Sequence, residues 1–210
     1  MPLEPPLPNG RGRWPLIGIA GRLQTGKDVI ANRLIARWNF QRLGFADALK
    51  DEVRRRFRRT LLAFWSVFES DIPPANAAAE DAVLELLIRT KPVVVRELLQ
   101  EYGTEVRRAD DADYWVHKWC QRAAVDWERR LVVPDVRFDN EAKLIQRWGY
   151  LVKVVRPAAD EAAGDHASET GVALWPDSAF DAVFDNSGTL THLEALVDDF
   201  VRPRAAQWPR

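Results

Sequence analysis

The run LIGIA at Leu16–Ala20, followed at once by GRLQTGKDVIANRL at Gly21–Leu34, constrains this chain more than any other stretch. An unbroken apolar run of this length reads as a strand buried on both faces. From about Lys27 to Trp38 the pattern turns helical, with Val29, Ile30, Leu34 and Ile35 as the apolar stripe. A strand, a loop bounded by Gly21 and Gly26, and a helix with Lys27 in its first turn together form a device for gripping phosphate. The glycines admit backbone angles that other residues avoid, so successive N–H groups of Gly21, Arg22, Leu23, Gln24, Thr25 and Gly26 can converge on phosphate oxygens. The helix start adds about half a positive charge. Lys27 then reaches the outer phosphates as a mobile cation. The duller alternative is a Gly-rich turn with a solvent-facing lysine.

Asp28 stands where a Ser or Thr hydroxyl normally meets magnesium in such loops. Three readings are open. A carboxylate is a good ligand for a hard cation, directly or through water. It is also favoured near a helix start by the dipole alone. Lastly, it would repel a triphosphate unless a divalent ion lay between them. Spacing does not choose among the three.

Along the remaining chain, short apolar runs alternate with helical patterns, which points to a mostly parallel sheet with helices on both faces. Strands are expected around Phe40–Phe45, at Leu131–Asp135, at Tyr150–Val155 and within AFDAVFDN, giving five in all with the first. Helices are expected from Asp47 as N-cap, across a broken pattern between Thr60 and Arg108, near Asp113–Arg129, at Asn140–Trp148 and at Thr189–Val201. With 210 residues the chain suits one α/β domain over 15–202, with an insertion at 60–110 and a lid at 156–178. Residues 1–14 read as a loose leader and 203–210 as a tail. Net charge is −1, so no global field draws the chain to nucleic acid or to an anionic membrane. No apolar run approaches the roughly 20 residues of a membrane helix. The single cysteine, Cys120, excludes an internal disulfide and fits a reducing cytoplasm.

Several further blocks occur in a fixed order: GFADALKDEV at Gly44–Val53, VRELLQEYGTEVRR at Val95–Arg108, PDVRFDNEAKLIQRWGYLVKVVRP at Pro134–Pro157, DHASE at Asp165–Glu169 and DNSGTLTHL at Asp185–Leu193. With the Gly-Lys-Asp loop they make residues 16–200 resemble the deoxynucleoside monophosphate kinase family known from bacteriophages and prophages. That resemblance implies the three-layer fold of P-loop nucleotide kinases, with a monophosphate-binding insertion and a lid. It also implies transfer of the γ-phosphoryl group of ATP to a (deoxy)nucleoside monophosphate, with Mg2+. The family's loop commonly reads Gly-Lys-Asp, so Asp28 looks like a signature of the site. Asp139 departs from a frequent proline, a change in loop stiffness more than in chemistry.

Phosphoryl transfer asks a protein for positioning, charge neutralisation and exclusion of water. Lys27 and the loop would hold the donor phosphates. Asp135, closing an apolar strand, would orient the metal or its waters together with Asp28; otherwise it caps the helix after it. Arg137 would meet the transferring group, or else pair with Glu141 four residues on. No Lys or Arg occurs between Pro157 and Val201, so the lid cannot supply the charge and Arg156 at its start is expected to help. Arg96, Gln100, Gly103 and Arg107 share a helical face, and Thr104, Glu105 and Arg108 belong to the family's GTE block. Acceptor binding is assigned there, against the alternative of an amphipathic surface helix. His166 and Glu169 of the acidic lid are further acceptor candidates, or part of a solvated loop. Asn186 sits where an amide would meet the donor adenine, though DNSGT is also a good turn and helix start. The RRRFRR run at Arg54–Arg59 reads mostly as a solvated face, and Trp115 and Trp119 as core. ATP and a nucleoside monophosphate are the expected partners, without nucleic acid or membrane; a homodimer is left open. The competing readings are a dephospho-coenzyme A kinase-like enzyme and a nucleotide-binding module without transfer activity.

Overall fold

A computed structural model describes residues 13–69, 74–125, 129–157 and 171–208. Five strands, β1 (Leu16–Ala20), β2 (Phe40–Arg42), β3 (Arg130–Val133), β4 (Tyr150–Val155) and β5 (Ala182–Asp185), form one sheet in the order β2-β3-β1-β4-β5. Every pairing is parallel, where the sequence suggested mostly parallel. Alternation along the strands explains how the sheet is covered. Leu16, Ala20, Leu131, Val133 and Leu151 look to one side, where they join Trp119 and Cys120 of α6 (Tyr114–Ala123) and Ala142, Ile145 and Trp148 of α7 (Asp139–Trp148). Ile17, Ile19, Val132, Val152 and Val154 look to the other, against α1 (Lys27–Trp38) and the C-terminal helix. Both faces are therefore apolar, as a fully covered parallel sheet requires. Burial pushes the Cys120 thiol up to about 11, so it serves as a small core hydrophobe.

The chain divides into two compact units, Ala46–Trp115 and the remainder. The smaller one takes in more than the 60–110 segment that sequence had suggested as an insertion. It contains most of α2 (Phe45–Arg56), then α3 (Arg58–Phe64), a short π-turn at Trp65–Glu69, α4 (Ala77–Thr90), α5 (Val93–Gln100) and a second π-helical stretch at Glu101–Arg108. Its own core gathers Val53, Leu61, Leu84, Leu87, Val95 and Trp115. Within it two arginines of the run are met by α4: Arg54 pairs with Glu85 at 3.1 Å, and Arg58 with Glu80 at 2.7 Å and Asp81 at 2.6 Å. Trp115 and Trp119 are core residues, as expected.

Three expectations need correction. Helix α2 starts at Phe45 and not after Asp47, which lies in its first turn and pairs with Lys50 at 3.2 Å. The helix expected near Asp113–Arg129 spans only Tyr114–Ala123. The C-terminal helix α8 (Leu190–Ala205) runs through Pro203, and Trp208 beyond it is buried, so residues 203–208 are not a tail. Trp208 packs edge-on against Phe40, with Arg130 over its ring and Tyr150 beside it. This packing outweighs the usual tendency of proline to end a helix. Trp14, placed by sequence in the leader, is also buried, and Arg13 pairs with Asp181. The other end of α8 is capped by the Thr189 hydroxyl, which accepts from His192 N. Asp198 fixes α8 to α1, accepting from Arg33 and from Trp38 Nε1 at 2.8 Å. The Arg33 hydrogen bond holds its carboxyl below the usual range. Among the described residues no helix is long and apolar enough to cross a membrane.

If Trp208 belongs to the core, Trp208→Ala should cost about 3 kcal/mol in urea unfolding, the usual loss for a buried aromatic. A change below about 0.5 kcal/mol would restore the tail reading.

Candidate active site

β1 is the central strand, with β3 on one side and β4 on the other, so the chain leaves it at a topological switch point. Gly21 follows with φ 153°, and a Cβ built on it would lie 2.6 Å from the Val154 carbonyl oxygen. Only glycine allows the loop to clear β4 here. Gln24 and Gly26 also take positive φ, at 61° and 104°, which folds the intervening backbone into a cup. Thr25 is buried and its hydroxyl donates to Arg22 O at 2.9 Å. Arg22, Leu23 and Gln24 form the outer rim, with Leu23 and Gln24 exposed. Lys27 opens α1, and its ammonium turns back over the loop to donate to Gly21 O at 2.7 Å and to Arg22 O.

Asn186, at the end of β5, donates its amide to Thr25 O at 2.9 Å. The sequence leads one to expect it beside the donor adenine; its side chain here braces the Gly21–Gly26 loop. Asp28 projects outward, its side chain 80% exposed, and accepts from Arg42 Nη1 at 3.1 Å. Arg42 ends β2, a position that carried no sequence signal because the pair joins residues on two separate elements.

Asp135 lies two residues beyond Val133, which is level with Gly18, so it stands beside the start of the loop. Its Oδ1 accepts from Phe45 N at 2.9 Å, and a Cβ on Gly44 would lie 2.7 Å from its Oδ2. The carboxylate therefore serves the start of α2, and the alternative that it caps the helix following it is corrected. The start of α7 is instead served by buried Glu141, whose Oε2 accepts from Arg137 N at 2.9 Å and Phe138 N at 3.1 Å. Arg137 is half-buried, and its carbonyl accepts from Val172 N at 3.2 Å, which ties the far end of the expected lid to the segment between β3 and α7. Arg156 is exposed at the residue after β4.

Among the described residues no group of three or more His, Cys, Asp or Glu could hold a metal ion by itself. Asp28 and Asp135 each offer carboxylate oxygens of the hard kind, Asp28 in the first turn of α1 and Asp135 beyond β3. That set fits magnesium, which commonly takes one or two carboxylates and completes its shell with phosphate and water.

The acceptor candidates lie in the smaller unit. Arg96 is exposed on α5 and Gln100 half-buried at its end. Beyond Gln100 the helix widens into the π stretch, and the shared face expected for Arg96, Gln100, Gly103 and Arg107 breaks up. Gly103 is buried, with Leu49 at 2.8 Å from the place of its missing Cβ, and its carbonyl accepts from Trp115 Nε1 at 2.9 Å. Arg107 is bound to Glu52, a residue that sequence reasoning passed over. Thr104 is half-buried and Glu105 exposed, while Arg108 donates to Ala112 O at 3.2 Å. His166 and Glu169 lie outside the described residues.

A family model described as Deoxynucleotide monophosphate kinase matches residues 69–197, well over half of the chain. A protein of Acanthamoeba polyphaga mimivirus named "Putative deoxynucleotide monophosphate kinase" is 29% identical over 189 residues, covering 83% of this chain and 90% of its own. Among solved structures, TT1252 from Thermus thermophilus aligns over 95% of this chain and all of its own, at 17% identity and a TM-score of 0.46.

The contact between Gly44 and Asp135 can be tested alone. Gly44→Ala should cost about 1–3 kcal/mol through overpacking. Adding Asp135→Ala should recover part of that loss in a double-mutant cycle, whereas strict additivity would show that the two do not touch.

Proposed function

This chain belongs to the deoxynucleotide monophosphate kinase family, and from that premise we propose that it transfers the γ-phosphoryl group of ATP to a (deoxy)nucleoside monophosphate. The observation that carries the reading is the glycine-bounded loop on the central strand, with Lys27 folded over it and Asp135 beside it. The main-chain N–H groups of Gly21–Gly26 receive the β- and γ-phosphates. Lys27 exchanges the Gly21 and Arg22 carbonyls for phosphate oxygens, which have more charge to offer. Asn186 keeps the cup in shape by holding Thr25 O.

Asp28 and Asp135 are the residues that would hold magnesium, which when bound neutralises phosphate charge and leaves the γ-phosphorus open to attack. For Asp28 this means giving up Arg42, a partner held at an exposed position where ion pairs are weak. An oxygen of the acceptor monophosphate forms a new bond to the γ-phosphorus, the bond from that phosphorus to the β,γ-bridging oxygen breaks, and ADP leaves with its electron pair. Arg137 and Arg156 stabilise the charge spread over the transferring group, a task that residues 157–201 cannot share because they contain no Lys or Arg. Acceptor binding falls to Arg96, Gln100, Thr104, Glu105 and Arg108, and His166 and Glu169 of the DHASE block are assigned to the same task. Gly103 contributes packing beneath them. A cytoplasmic location is part of the same proposal, supported by nucleotide substrates and by a single cysteine that excludes an internal disulfide.

A coupled ADP-release assay across dGMP, dTMP, dCMP, dAMP, CMP and UMP tests the reading. Release should depend on at least one of these acceptors. ATP binding without release for any of them would leave a non-catalytic module, and dependence on dephospho-coenzyme A alone would move the enzyme to another class. In the same assay Arg137→Ala and Arg156→Ala should each lower turnover by about a hundredfold while ATP binding stays within a few fold. Near-normal turnover in the double variant would remove both from the mechanism.

A further inference from the structure

The stretch Glu101–Arg108 is π-helical, a wide-turn geometry that is rare because its hydrogen bonds and axial packing are poorer than those of an α-helix. Something has to hold it open. Tyr102 and Arg107 are five residues apart, and in an α-helix such residues point about 140° away from each other. In an i→i+5 turn they stack on one side. Here they converge: Arg107 Nε donates to Tyr102 Oη at 2.8 Å, and both reach Oε1 of Glu52, Tyr102 at 2.5 Å and Arg107 Nε at 2.9 Å. Tyr114 Oη donates to the other oxygen of Glu52 at 2.8 Å. The Arg107 guanidinium lies over both tyrosine rings, 5.3 Å from Tyr102 and 4.7 Å from Tyr114.

Glu52 comes from α2, and so does Leu49, three residues earlier on the same face. Leu49 occupies the space that a side chain at Gly103 would need. One face of α2 thus fits the wide turn at two points, a carboxylate for the tyrosine–arginine pair and a leucine for the glycine. Burial opposes the charge on Glu52, but hydrogen bonds from Tyr102, Tyr114 and Arg107 outweigh it and hold the carboxyl below its ordinary range.

We propose that Glu52 is a positioning residue that holds Glu101–Arg108 in the i→i+5 register, and that this register aims Glu105 and Arg108 at the acceptor monophosphate. The aim follows from helix geometry. Relaxing the wide turn to an α-helix moves every later residue of the stretch by one position, a rotation of about 100° that takes the Arg108 side chain off its line. The proposal rests on the kinase reading for its acceptor, but the register itself does not.

The test uses the full chain with Glu52→Ala, Glu52→Gln and Tyr102→Phe, the last two retaining volume so that folding is preserved. Amide hydrogen exchange at residues 104–108 reads the register without turnover, and steady-state kinetics read the aim. Glu52→Ala should change the exchange pattern there and raise KM for the acceptor by about tenfold or more, with KM for ATP within twofold. Glu52→Gln, which still accepts hydrogen bonds, should recover part of both. Unchanged exchange in Glu52→Ala would overturn the register, and equal changes in both KM values would reduce Glu52 to a fold-stabilising role. Were the wild type to release no ADP with any acceptor, the kinase reading would fall while the exchange result still decided the register.

Discussion

The chain must leave the central strand between two strands already paired to it, and at its first step outward it passes within contact distance of the Val154 carbonyl. A residue with a side chain could not make that step. Given Gly21, the backbone can turn above the sheet, and the left-handed positions at Gln24 and Gly26 close the cup. Thr25 and Asn186 then fix its floor from below and from the end of β5. Because the strands are parallel, their C-terminal ends bring Asp135, Arg156 and Asn186 to the same edge as the loop. The positive end of α1 faces that edge as well. The phosphate site proposed for a chain of net charge −1 rests on such local alignment.

Sequence reading succeeded where local pattern decides structure. Apolar runs located β1 and β4 to the residue, because a strand buried on both faces admits little else, and the Gly–Lys spacing located the loop. It failed where a distant residue outweighs a local preference. Asp47 has the character of an N-cap, yet α2 begins two residues earlier because Asp135, ninety positions away, offers its carboxylate to Phe45 N. Pro203 ordinarily stops a helix, yet α8 continues because Trp208 has a place in the core beside Phe40. The π stretch is the deepest case. Tyr102, Gly103 and Arg107 have no period that announces a wide turn, and its cause lies on α2 in Glu52 and Leu49.

The same distinction governs the charges. Read along the chain, Arg54–Arg59 is a basic run that suggests a polyanion; in the fold Arg54 and Arg58 are matched by acids of α4. Arg107 is likewise committed to Glu52, and Arg33 to Asp198 and Glu194. Neutralised arginines of this kind set local geometry and leave little field for ligands. The candidates for phosphate chemistry are those that the parallel sheet brings to its C-terminal edge.

Arg42 stands between these two classes. It ends β2 on that edge, and its partner Asp28 is the residue proposed to face magnesium. Both side chains are well exposed, so their attraction is worth about 1 kcal/mol at most. A doubly charged cation offers Asp28 far more than a monovalent guanidinium does, and a triphosphate offers Arg42 more than one carboxylate does. A pair that weak cannot hold the site closed against nucleotide. It can, however, keep two opposite charges together at the mouth of the loop, so that the acid does not repel an approaching phosphate before a cation arrives. On this argument the aspartate in the Gly-Lys-Asp loop is tolerable because the chain supplies it with a partner it can release.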